Sequence, residues 1–230
     1  MAIIRTWSGD GLSPTTLTTS SAGPGDTVFS SIVGSLTIEN SGGRAPRIRL
    51  PDAAAIKRVH WWPLHGTPLT TYTVRWYLTL GGYPDAEITL AKGQASGSGD
   101  KWSVRLTTAG VARIRDDGAG VVRWTGGTAL PLNKPIRFEL VVNGTSVNLS
   151  LFSGDTENSL GTATTTLNDS AIDELRFGTN SSTATNGMTY DDIAFHSVAA
   201  AHGPAGTPGQ VHTHFIHNGT SWVAQDVSFL

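Results

Sequence analysis

The stretch TYTVRWYLTL, residues 71–80, constrains the fold more than any other part of the chain. Tyr72, Val74, Trp76, Leu78 and Leu80 fall on one side of a period of two; Thr71, Thr73, Arg75, Tyr77 and Thr79 fall on the other. Only a strand places alternate residues on opposite faces, so this segment is a half-buried strand and not a helix. The same period returns in KWSVRLTT, with Trp102, Val104 and Leu106 inward, and in PIRFELVV, with Ile136, Phe138, Leu140 and Val142 inward. Asn143-Gly144 then turns the chain into SVNLSLF, the strongest two-residue hairpin signal in the sequence. No segment keeps a 3.6-residue period for more than about two turns. PDAAAIKR, residues 51–58, is the best helical candidate and spans a single turn.

Around this centre the chain divides into four parts. Residues 1–34 have one short apolar start followed by GDGLSPTTLTTSSAGPGD, and read as a lead-in or an arm lying on a neighbour. Residues 35–198 hold roughly a dozen strands with short connections, starting with a hairpin of 35–40 with 47–50 and a strand over 54–62. They close with AIDELRFGTNSSTATNGMTYDDIAFHS, two strands around a polar loop that cannot bury itself. Residues 199–210 are rich in Ala, Gly and Pro and read as a linker, and 211–230 read as a separate hairpin turning at Asn218-Gly219. The expected fold is all-β: a two-sheet antiparallel jelly-roll sandwich with a C-terminal β-hairpin appendage.

Composition narrows function mainly by exclusion. The 230 residues include no cysteine, so neither a disulfide framework nor a thiolate zinc site is available. The formal net charge is −2, which gives no global field for nucleic acid or an anionic membrane. No apolar run approaches the ~20 residues that span a bilayer. The start, MAIIRTWSGDG, lacks the basic-then-apolar pattern of a secretory signal, so a soluble protein made in a cytoplasm is expected. The five N-x-S/T sequons, at Asn143, Asn148, Asn168, Asn180 and Asn218, are then turn and strand chemistry rather than glycan sites.

The closing pattern D-E-L-R-F-G, loop, Y-D-D-I-A-F resembles the last strands of concanavalin A-like lectin/glucanase domains, the laminin G-like jelly rolls. H-F-I-H-N-G-T-S-W-V, residues 214–223, resembles the short hairpins that end minor tail proteins of actinobacterial tailed phages. Together the two resemblances imply a virion structural protein of minor tail or fibre type. Its lectin-like domain would contact host-surface glycan or neighbouring virion subunits, and the chain would form a homo-oligomer, with a trimer among the options. Capsid decoration, a stand-alone carbohydrate-binding domain and a diverged glycoside hydrolase are the alternatives. Jelly-roll glucanases carry E-x-D-x-x-E, and none of the five glutamates here (39, 87, 139, 157, 174) sits in that pattern. The expectation is therefore a protein without catalysis.

Candidate contact residues follow from strand parity. Trp62, Trp124 and Tyr77 are the aromatic candidates for stacking on a sugar ring, with Arg75 and Arg105 as cationic partners. Arg75, Arg105, Arg137 and Arg176 share outward parity and could form a basic stripe for an acidic saccharide. Asp191 and Asp192 offer hard oxygen ligands for calcium, although an Asp at a strand start also serves to accept backbone N–H groups. His212 and His214, two apart, would face one way on a strand and could join those of symmetry mates around a transition metal. Otherwise no cofactor is expected. Phe215, Trp222, Val223 and Phe229 give the hairpin apolar surface to bury in assembly.

Overall fold

The computed structural model describes residues 4–40, 46–52, 55–179, 186–204, 212–217 and 222–227. Among these, every regular element is a strand and no helix occurs. The first strands are β1 (Ile4–Trp7), β2 (Thr15–Thr16), β3 (Ser31–Val33), β4 (Thr37–Glu39), β5 (Arg47–Arg49) and β6 (Lys57–Trp61). The longer central ones are β7 (Thr71–Thr79), β8 (Ile88–Ala95), β9 (Gly99–Leu106), β10 (Ala112–Asp116), β11 (Val121–Thr125) and β12 (Pro135–Asn143). They continue with β13 (Ser146–Ser153), β14 (Ser159–Thr166), β15 (Glu174–Thr179) and β16 (Thr189–His196), then β17 (His212–His217) and β18 (Trp222–Val227).

Sixteen of these strands build two antiparallel sheets. Sheet A runs β14-β13-β12-β7-β16-β5-β4-β2, with β1 also paired to β16; sheet B runs β11-β10-β9-β8-β15-β6-β3. The inward faces follow the alternation of the sequence. Val74, Trp76, Phe138, Leu140, Leu149, Ile193 and Phe195 from sheet A meet Trp102, Val104 and Phe177 from sheet B in one core. A chain of ring contacts crosses it: Trp7 to Phe29 at 5.9 Å, Phe29 to Trp61 at 5.2 Å, Trp61 to Phe177 at 6.2 Å, Phe177 to Trp76 at 5.7 Å and Trp76 to Phe138 at 4.8 Å. These offset and edge-on contacts add directional preference to ordinary burial.

The main departure from the sequence reading is at the N-terminus. Residues 4–33 are not a detached arm: β1 lies along β16, β2 along β4 and β3 along β6. Trp7, Leu17 and Phe29 are buried with the rest of the core. Polar Thr/Ser runs hid these strands because each is only two to four residues long. At 51–58, residues 53–54 lie outside the described part, and Lys57 and Arg58 begin β6 instead of closing a helical turn. The expected hairpin of 35–40 with 47–50 is present as β4 paired to β5. The β12–β13 hairpin closes on the pair Asn143↔Ser146, with Gly144 taking the positive φ (59°) that the tight turn requires.

The C-terminal hairpin also forms as two strands, β17 against β18, in a sheet of its own. Its turn, residues 218–221, and Phe229 lie outside the described residues. So do the side chains of His212, His214, Phe215, Trp222 and Val223, although the strands that carry them are defined.

Candidate functional site: the outer face of sheet B

Sheet B turns its hydrophobic set inward and leaves a charged set outside. On β6, Val59 and Trp61 enter the core while Arg58 and His60 alternate outward. On β15, Leu175 and Phe177 enter the core while Glu174 and Arg176 alternate outward. Register then aligns the outward residues across five strands. Arg176 lies opposite His60 and opposite Lys92, Lys92 lies opposite Ser103, and Ser103 lies opposite Arg115. One row of the face therefore reads His60, Arg176, Lys92, Ser103, Arg115, and Arg105 beside it lies opposite Arg113.

At the β6 end of the row, His60 bridges two strands. Arg58 Nε donates to His60 Nε2 at 2.8 Å, and an arginine N–H can only donate, so Nε2 is the acceptor nitrogen. Nδ1 then donates to Glu174 Oε1 at 2.8 Å, and Arg176 Nε donates to the same oxygen at 2.6 Å. Burial alone would raise the Glu174 carboxyl. The hydrogen bonds from His60 and Arg176, with the charge of Arg176, outweigh it and hold the group down to about 2. Burial, and next the charge of Arg176, lowers the Arg58 guanidinium, so the two arginines repel each other across this bridge.

The rest of the face is laced in the same way. Lys92 pairs with Asp100 at 2.5 Å; Glu87 accepts from Arg105 (3.2 Å) and Arg113 (2.8 Å); Asp117 accepts from Arg105 at 2.7 Å and pairs with Arg115 at 3.3 Å. Among the described residues, five cations (Lys92, Arg105, Arg113, Arg115, Arg176) thus share four carboxylates (Glu87, Asp100, Asp117, Glu174), and a sixth, Arg58, joins them through His60. A protein of net charge −2 carries here a surplus of two positive charges. Like charges directly opposite one another in a ladder are destabilising, and the face has two such pairs, Arg176 with Lys92 and Arg105 with Arg113.

The candidate residues distribute unevenly. Arg105 belongs to this face. Trp62 follows β6 directly on the parity of Arg58 and His60, is 50% exposed, and is tethered by its backbone N–H to Ser30 Oγ at 2.9 Å. Trp124 is instead paired with the inward Ile114 and packs half-buried against the core at the sheet edge. Tyr77 keeps outward parity on sheet A but is only 1% exposed, because Asp155 folds over it and accepts its hydroxyl at 2.7 Å. The basic stripe does not form: Arg105 and Arg176 are on sheet B, Arg75 and Arg137 on sheet A. Arg137 is fully buried between Glu139 (2.8 Å), Glu157 (2.9 Å) and the ring of Phe152, and Arg75 donates to Gly203 O at 3.3 Å.

Asp191 and Asp192 sit in a bulge where β16 loses register with β7. Asp192 takes a positive φ (42°) and donates its N–H to Asp191 Oδ1 at 2.7 Å, so the Asp191 carboxylate staples the bulge. Among the described residues no three His, Asp or Glu side chains gather to hold a metal ion.

No protein-family model matches the chain, and no curated protein is similar to it in sequence. Solved structures do share its architecture. Trypanosoma rangeli sialidase is 14% identical with a TM-score of 0.52, over 81% of this chain and 31% of that one. Botulinum neurotoxin type C, described as interacting with two ganglioside molecules, is 9% identical with a TM-score of 0.52, over 74% of this chain and 43% of that one. The binding domain of botulinum neurotoxin DC, in complex with SialylT, is 8% identical with a TM-score of 0.50, over 74% and 42%. This chain thus spans about a third of the sialidase and under half of each toxin chain. At such identities the likeness is one of fold: a β-sandwich of the kind these proteins contain.

Proposed function

We propose that the protein is a non-catalytic, glycan-binding structural component of a phage virion, of minor tail or fibre type. Its sandwich holds an acidic saccharide of the host surface on the outer face of sheet B. Arg58 and Arg176 take the anionic group, and Trp62 offers an aromatic platform at the end of the row. The observation that carries this reading is the positive surplus itself. Mutually repelling guanidinium and ammonium groups, fixed by ion pairs beside a half-exposed Trp62, are arranged as they would be to receive negative charge. The fold shared with a sialidase and two botulinum neurotoxin chains agrees with a carbohydrate ligand, and the 214–223 motif supports the virion assignment. The C-terminal hairpin would attach the sandwich to other virion proteins and to further copies of the chain.

The same geometry argues against hydrolysis. A glycosidase needs one carboxyl kept protonated near neutral pH as general acid. Each of the four carboxylates on this face is paired with a cation, and Glu174, held down to about 2, stays ionised.

A glycan array probed with the purified chain tests the assignment. Sialylated, sulfated or uronic-acid oligosaccharides should bind weakly per subunit and more tightly when the chain is multimerised. The double variant Arg58→Gln/Arg176→Gln should lose that binding while its near-ultraviolet spectrum is unchanged. Binding that survives the double variant removes the proposed site, and an array without hits removes the glycan function.

A further inference from the structure

The outer face of sheet A carries a second arrangement, independent of the glycan reading. The segment after β16, which in sequence resembles a free linker, lies across β7. Thr73 Oγ1 donates to Val198 O at 2.7 Å and accepts from Ala200 N at 3.1 Å. Arg75 Nη1 donates to Gly203 O at 3.3 Å, and His202 Nε2 reaches Thr73 O at 3.5 Å. His196, opposite Thr73 in the β16–β7 register, meets His202 ring to ring, with centroids 3.9 Å apart at 64°.

Two imidazoles in contact beside a guanidinium leave no room for a further positive charge. β7 brings Arg75, β16 brings His196, and the segment brings His202. By register the carboxylates beside Arg75 are Glu139 of β12, opposite it and paired with Arg137, and the bulge pair Asp191 and Asp192 of β16, where Asp191 accepts the Asp192 N–H. On the same side of β16, β1 brings no titratable group into register with His196 or Ala194, only Ile4 and Thr6. We propose that the His196–His202 pair is an acid-released latch that holds the segment 198–203 on sheet A until either ring is protonated.

Burial, then His196 and Arg75, lowers the docked His202 to about 3, and burial with Arg75 lowers His196 in the same direction. An undocked histidine takes its proton near 6.5. The segment therefore stays docked above that pH and is progressively released as pH falls from 6.5 toward 3. Each unit below 6.5 favours release about tenfold for His202 alone, or roughly a hundredfold at pH 4.5.

Because the chain contains no cysteine, Ala201→Cys takes a single nitroxide label at an exposed position in the full chain. Its spectrum should be immobilised at pH 7 and mobile at pH 4.5, with the near-ultraviolet signal of the sandwich tryptophans intact at both. In His196→Gln/His202→Gln the label should stay immobilised at pH 4.5. A label that stays immobile in the parent chain at pH 4.5, or one released equally in the double variant, overturns the latch. Should the double variant be mobile already at pH 7, the ring protons of His202 in the parent chain decide. Titration well below 6.5, the ordinary histidine value, upholds the latch, and titration near 6.5 overturns it.

Discussion

Replacing Trp7 by alanine separates an integral N-terminal strand from a detachable arm. The Trp7 ring is 0% exposed, packs on Phe29 at 5.9 Å and donates its indole N–H to Ser21 O at 3.1 Å. Its six-membered ring also fills the space that a side chain at Gly9 would occupy. Truncating a fully buried tryptophan removes the transfer free energy of the ring and leaves a cavity, together about 3–5 kcal/mol. The Ser21 carbonyl, close to the surface, can turn to water and adds little. For a chain of this length, about 4 kcal/mol corresponds to a fall in Tm of roughly 8–16 °C. Urea denaturation followed by tryptophan fluorescence, with thermal melting by circular dichroism, reads both quantities. The reasoning predicts a lower midpoint at unchanged slope, since the surface exposed on unfolding hardly changes. A loss below about 1 kcal/mol, the range of ordinary surface substitutions, would mean that residues 4–33 lie on the sandwich without belonging to it.

Two further outcomes follow from particular residues. Gly178 on β15 has φ +113°, and a Cβ there would collide with the backbone of Lys57 and Arg58, so Gly178→Ala should cost on the order of 3 kcal/mol in the same denaturation assay. Glu174, held below the ordinary carboxylate range, gives stability that is complete above about pH 4.5 and lost as pH falls toward 2. Glu174→Gln should accordingly flatten the stability profile across that window, and a profile that keeps its full acid slope would show that the His60–Glu174–Arg176 bridge contributes little.

The sandwich was legible because its long strands state their own inward face. Trp76, Val104 and Phe138 could be assigned to the core from alternation alone, since a period of two admits only two faces and the larger apolar set must be the buried one. The charged face was not legible, although its alternation was present in RVHW and ELRF. What makes Arg58, His60, Glu174 and Arg176 neighbours is the pairing of β6 with β15, across more than a hundred residues, and nothing local encodes that pairing. The same gap explains Arg75 and Arg105: shared outward parity does not say outward from which sheet. Tyr77 shows a third limit. Parity gave its face correctly, but the turn carrying Asp155 covers that face, and exposure depends on such loops.

The central claim, an acidic saccharide on the outer face of sheet B, is tested most directly by mapping a bound ligand on the isotope-labelled full chain. A sulfated or uronic-acid oligosaccharide is titrated in while backbone amide shifts are followed, and its neutral counterpart serves as the control. The account predicts shifts concentrated on Arg58, His60, Lys92, Glu174 and Arg176 and on the Trp62 indole. They should weaken as salt is raised through the range where exposed charges are screened. Shifts of equal size with the neutral sugar, or shifts confined to sheet A, would contradict it.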